Sequence, residues 1–138
     1  MYHFIGIKGS GMSALAQILH NLGYEVQGSD SEKHFFTEEG LKELGITILP
    51  FDENNIKEGM KIVKGAAFDE TNPEVKKAME LDLNIYSYSD MVGSLTRKFK
   101  TICVSGCHGK TTTTAMIAYI FMICRGMRQR GQRDSPGL

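Results

Sequence analysis

Between Tyr2 and Leu95 the chain alternates short apolar runs with helical patterns, and this alternation limits the fold more than any other feature. The runs are Tyr2–Ile7, Glu25–Ser29, Ile46–Leu49, Met60–Val63 and Leu83–Ser87. Each is too short for a helix and is bounded by glycine, proline or polar residues, as strands are. Helical spacing fills most of the gaps. Met12, Leu15, Ala16, Leu19 and Leu22 recur every three or four residues, and Gly23 follows as a stop. Thr37 stands where it can cap a helix that Glu38 and Glu39 begin; Leu41 and Leu44 face inward before Gly45. Asp52–Glu58 is polar and reads as a loop with a helical turn. Asn72-Pro73-Glu74 opens a third helix to about Leu81, and Ser89 is placed to cap a fourth through Leu95. Strands separated by helices pair in parallel and are covered on both faces. The expected fold class is α/β, a Rossmann-like doubly wound parallel sheet.

The turn after the first run contains Gly9-Ser10-Gly11-Met12-Ser13-Ala14, which fits G-x-G-x-x-[G/A]. Such a turn lets backbone N–H groups at a helix start face an anion. Asp30 ends the second run, about twenty residues on, where doubly wound folds grip a ribose hydroxyl. Gly65-Ala66-Ala67-Phe68 follows the fourth run, at the strand end where ligands bind in such sheets. The plain alternatives are a glycine loop with no ligand and an Asp30 that only caps a turn.

A second glycine turn comes later. Thr101–Val104 reads as a buried strand, and Ala115–Ile123 as a helix. Between them lies Ser105-Gly106-Cys107-His108-Gly109-Lys110-Thr111-Thr112-Thr113-Thr114. Strand, glycine turn, Lys-Thr, helix is the order of a phosphate loop: Lys110 would reach the β/γ-phosphates and Thr111 would ligate Mg²⁺. The full pattern G-x-x-x-x-G-K-[ST] needs glycine at position 104, where Val104 stands. A plain glycine turn before a threonine-rich helix remains the alternative. His108 either bonds a phosphoryl or carboxylate group or is there for its turn conformation. Cys107 has no paired base and reads as a small filler.

Composition excludes several partners. The 138 residues carry 16 Lys+Arg against 16 Asp+Glu, so no overall charge draws the chain to nucleic acid or a membrane surface. No run spans a bilayer. Gly6, Lys8 and Gly9 break the N-terminal apolar run too early for a signal peptide. Cys103, Cys107 and Cys124 lack C-x-x-C spacing and read as reduced thiols of a cytoplasmic protein.

Two glycine-rich nucleotide turns in this order are uncommon. With GIKGSGMSALA, GSD, the NPEV helix start and GCHGKTTTT, the chain resembles the Mur ligases over about residues 1–121. The resemblance implies a first domain, residues 1–97, that binds UDP-N-acetylmuramate. Gly9, Ser10, Gly11, Met12 and Ser13 would line the diphosphate, with Asp30, Ala66 and Ala67 near the ribose and uracil. Residues 98–124 would begin a central ATP-binding domain. There Gly106, Cys107, His108, Gly109, Lys110, Thr111 and Thr112 would hold ATP, with Thr111 on Mg²⁺. Lys110, Thr111 and His108 are the candidate catalytic residues. The family's reaction passes the γ-phosphoryl group of ATP to the muramate carboxylate. The amine of L-alanine then attacks the acyl phosphate, giving amide, ADP and phosphate.

Family members run much longer, and their further domains would supply the acidic Mg²⁺ ligand and the L-alanine site. The 138 residues are therefore expected to bind UDP-sugar without completing the reaction. Residues 125–138 are Arg-rich, lack apolar periodicity and do not fit the resemblance. Truncation or frameshift would explain them; a basic nucleic-acid arm is the other reading. A stand-alone NAD-type Rossmann sensing module is the alternative function for the whole.

Overall fold

The computed structural model describes the backbone of residues 1–133 and the side chains of residues 1–125. The chain divides into two compact units, Met1–Phe99 and Lys100–Leu138.

In the first unit the expected doubly wound sheet forms. Its strands are β1 (Tyr2–Ile5), β2 (Val26–Ser29), β3 (Thr47–Leu49), β4 (Lys61–Lys64) and β5 (Ile85–Ser87). Their order is β3-β2-β1-β4-β5, every pair parallel, with Tyr2 level with Val26 on one side and Lys61 on the other. β1 is central, and His3, Phe4 and Ile5 are fully buried. Strand alternation then assigns two layers. Phe4 and Val63 pack on α1 (Ser10–Asn21), α2 (Glu38–Glu43) and α4 (Tyr88–Lys98) through Leu15, Leu19, Leu41 and Met91. Ile5 and Ile62 pack on α3 (Pro73–Glu80) and the segment around a 3-10 turn, Glu53–Asn55, through Val75, Ala78 and Ile56. Burying each large apolar side chain contributes about 1.5–3 kcal/mol, so both layers are needed to offset chain entropy.

The helix ends follow local chemistry. Gly23 at φ +87° lets its own N–H donate to His20 and that of Tyr24 to Leu19, which closes α1; Gly45 repeats the motif after α2. Asn72 caps α3 by accepting from the N–H groups of Glu74 and Val75. Three expectations need correction. Leu22 lies past the packed stripe and is 43% exposed. Thr37 precedes α2 without capping it, because its hydroxyl donates to the Lys8 carbonyl. Ser87, not Ser89, caps α4 in a reciprocal pair with Asp90. The strand gives up its last residue to the helix start, an overlap that residue patterns do not register.

The second unit holds one helix among its described residues, α5 (Lys110–Arg133). The buried strand expected at Thr101–Val104 is absent: the run is irregular, and Thr101, Ile102 and Cys103 are exposed. A strand exists only through a partner, and the described residues of this unit supply none. The helix outlasts Ile123 because Met, Arg and Gln propagate helices and no proline intervenes before Pro136. Of the expected basic tail, residues 134–138 lie outside the described residues, as do all its side chains beyond Arg125.

Candidate functional site

Strand order reverses between β1 and β4, so the loops leaving their carboxyl ends diverge and open a crevice. Gly6, Gly9, Ser10, Gly11, Met12, Gly65, Ala66, Ala67, Phe68 and Tyr88 line a cleft of about 360 Å³ there. Its floor is the start of α1. Gly9 offers no side-chain cap, and among the described residues the N–H groups of Ser10, Gly11 and Met12 meet no acceptor. Three free N–H groups at a positive helix end form a seat for an anion.

The walls are held from behind. Gly6 at φ +83° turns the chain out of β1, and a Cβ there would lie 2.1 Å from the Phe68 ring. Phe68 thus packs where only glycine leaves room, tying the loop after β4 to the turn after β1. Lys64 Nζ donates to the Phe68 carbonyl at 2.9 Å and closes that loop. Its far end is fixed by Glu74, fully buried at the start of α3. Glu74 accepts from Asn55 Nδ2 at 2.7 Å and from the Ser29 hydroxyl, and lies 3.4 Å from His3 Nε2. Gln27 donates to His3 Nδ1 at 3.1 Å, which leaves the ring proton on Nε2, toward Glu74. Burial alone would raise the Glu74 pKa; the bonds from His3, Ser29 and Asn55 outweigh it and hold the carboxyl below its ordinary range.

Lys8 braces the opposite flank and faces away from the cleft. It is 7% exposed, and its ammonium donates to the carbonyls of Ser31 and Lys33 and pairs with Glu38 at 2.8 Å. The Lys8 bond, then the Lys42 bond, holds the Glu38 carboxyl near pKa 2 against an ordinary 4.5. A carboxylate depressed in the folded state stabilises it fully above pH 4.5 and progressively less as pH falls toward 2. Urea unfolding as a function of pH should therefore lose stability across that window. Glu38→Gln should flatten this part of the profile.

Gly9, Ser10, Gly11, Met12, Ala66 and Ala67, all singled out from the sequence, meet in the cleft. Ser13 does not: it is buried, and its hydroxyl bonds back to the Ser10 carbonyl at 3.1 Å. Asp30 lines a separate hollow with Lys8, Ser31 and Pro50. One of its oxygens takes the Lys8 N–H at 2.8 Å and the other takes the Ser31 N–H at 2.7 Å, so the carboxylate stiffens the turn. Sequence reasoning missed Tyr88 and the wall-forming role of Phe68. Both stand just past a strand's carboxyl end, the one signal that marked them.

The second glycine turn lies in the second unit. Gly106 and Gly109 have positive φ, and Lys110 Nζ folds back to donate to the Gly106 carbonyl at 2.7 Å. Cys107 and His108 are exposed, so Cys107 fills no space. Thr111 and Thr112 are exposed at the start of α5. A positive helix end, a lysine and a free hydroxyl fit a nucleotide phosphate with its Mg²⁺, a cation that takes few protein ligands. No group of three or more His, Cys, Asp or Glu able to hold a metal occurs among the described residues.

Free N–H groups at a helix start beside the switch point of a doubly wound sheet are the arrangement with which α/β domains of this class bind nucleotides. Residues 1–100 match the Mur ligase family, catalytic domain, and the chain belongs to the Mur ligase family. UDP-N-acetylmuramate-alanine ligase MurC from Thermotoga maritima is similar in structure, with TM-score 0.80 and 33% identity over 90% of this chain. A murein peptide ligase from Psychrobacter arcticus gives TM-score 0.80 and 28% identity over 88%. The UDP-N-acetylmuramate:L-alanyl-gamma-D-glutamyl-meso-diaminopimelate ligase from Neisseria meningitides gives 0.77 and 29% over 88%. The chain spans 29%, 26% and 39% of those three chains. No described helix is long and apolar enough to cross a membrane.

Proposed function

We propose that this chain is the UDP-sugar-binding part of an alanine-adding Mur ligase and seats the diphosphate of UDP-N-acetylmuramate on the start of α1. The observation that carries this is the three unpartnered N–H groups of Ser10, Gly11 and Met12, set between walls that Glu74 and Lys8 hold in place. Ala66 and Ala67 border the same cleft and leave room for the rest of the nucleotide. Asp30 stiffens the turn and, with acceptor capacity left on its oxygens, would lie near the ribose of the nucleotide.

In the second unit, Gly106, Cys107, His108, Gly109, Lys110, Thr111 and Thr112 would hold ATP, and Thr111 would ligate its Mg²⁺. Bound ATP and Mg²⁺ would supply an activated phosphoryl group for the muramate carboxylate. Lys110 would orient the phosphates and offset their charge, and His108 would bond a phosphoryl or carboxylate oxygen. L-Alanine would be taken by parts of the ligase other than these residues, so the 138 residues bind without turnover. Exposed, unpaired cysteines at 103, 107 and 124 suit a reducing cytoplasm. Isothermal titration of the chain is expected to give saturable heat with UDP-N-acetylmuramate and none with NADH. The reverse pattern would favour the dinucleotide-sensing module.

A further inference from the structure

We propose that Tyr88 is a ligand-contacting residue of the cleft, donating its phenolic hydrogen to the diphosphate of the bound nucleotide. The inference rests on the UDP-sugar reading above. Tyr88 is the first residue of α4, directly after β5, and it brings a side chain from the far edge of the sheet to the glycine turn. Its ring lies on Gly11: a Cβ there would meet ring carbons at 3.1 Å and the hydroxyl oxygen at 3.3 Å. A side chain at Gly11 would therefore press on the Tyr88 ring. The hydroxyl lies beside the start of α1, in the same cleft lining as Ser10, Gly11 and Met12, where an anion on those N–H groups would be its neighbour.

Two further observations point the same way. The Tyr88 hydroxyl has no hydrogen-bond partner among the described residues, and the residue is 43% exposed. Among the described residues around the cleft, the only other side-chain hydroxyl is that of Ser10. The walls are otherwise glycine, alanine, Met12 and Phe68, so direct side-chain recognition of a charged ligand falls to Ser10 and Tyr88. A hydrogen bond to a charged oxygen is worth more than one between neutral groups, and it is lost entirely in phenylalanine.

The test is isothermal titration of the full chain and of Tyr88→Phe with UDP-N-acetylmuramate and with UDP, alongside thermal melts. Phenylalanine keeps the ring on Gly11, so the melting temperature should not move. Affinity for both ligands should fall roughly tenfold or more. Equal affinity of the two proteins would overturn the proposal, as would a loss confined to UDP-N-acetylmuramate, which would put the contact on the sugar acid. Failure of the unaltered chain to bind UDP-N-acetylmuramate would overturn the UDP-sugar reading, and the proposal with it.

Discussion

Glu74→Ala is expected to lower the unfolding free energy by about 3 kcal/mol, the cost of leaving several buried hydrogen-bond donors without their shared acceptor. The carboxylate joins four parts of the chain at once: His3 on β1, Ser29 on β2, Asn55 in the 3-10 turn, and the backbone N–H of Asp52. Alanine would leave His3 Nε2–H and the Asn55 amide facing a void, and an unmet buried donor costs about 1–3 kcal/mol by itself. Typical domains have only about 5–15 kcal/mol in hand, so the variant should unfold well below the urea midpoint of the parent. Glu74→Gln retains the shape and one acceptor and should lose less, about 1–2 kcal/mol. A Glu74→Ala midpoint equal to that of the parent would mean the network does not tie the α3 layer to the sheet.

Ser10→Asp should separate stability from binding. Ser10 is exposed in the first turn of α1, and its side chain holds nothing in place. A carboxylate at that point complements the helix dipole and should leave the melt unchanged or raise stability by about 0.3–1 kcal/mol. The same charge would stand at the proposed seat of the diphosphate. Like charges in a partly enclosed site repel by several kcal/mol, so affinity for UDP-N-acetylmuramate should fall roughly a hundredfold. A variant that binds as well as the parent would move the diphosphate away from α1.

The sheet was legible in the residues because each strand is a short apolar run with punctuation at both ends. Tyr2–Ile7, Met60–Val63 and Leu83–Ser87 overlap β1, β4 and β5 to within a residue or two. The floor of the cleft was legible for a similar reason, since one contiguous stretch, Gly9–Met12, forms it. Residues whose partners are distant in the chain were not. Tyr88, after β5, reaches Gly11, after β1, past the intervening β4, and Phe68 occupies the space that Gly6 leaves; no local pattern registers either contact. Asp30 was found by its spacing, yet spacing cannot reveal that the N–H groups of Lys8 and Ser31 take up its oxygens. Thr101–Val104 has strand-like residues and no ladder, because β propensity describes a fit to neighbours that must be present.

The most direct measurement is amide chemical-shift mapping of the 15N-labelled chain titrated with UDP-N-acetylmuramate. The largest, saturable shifts are expected at the N–H groups of Ser10, Gly11 and Met12, with smaller ones at Gly65–Phe68 and Tyr88. Saturable shifts confined to other parts of the chain, with residues 10–12 unmoved, would contradict this expectation.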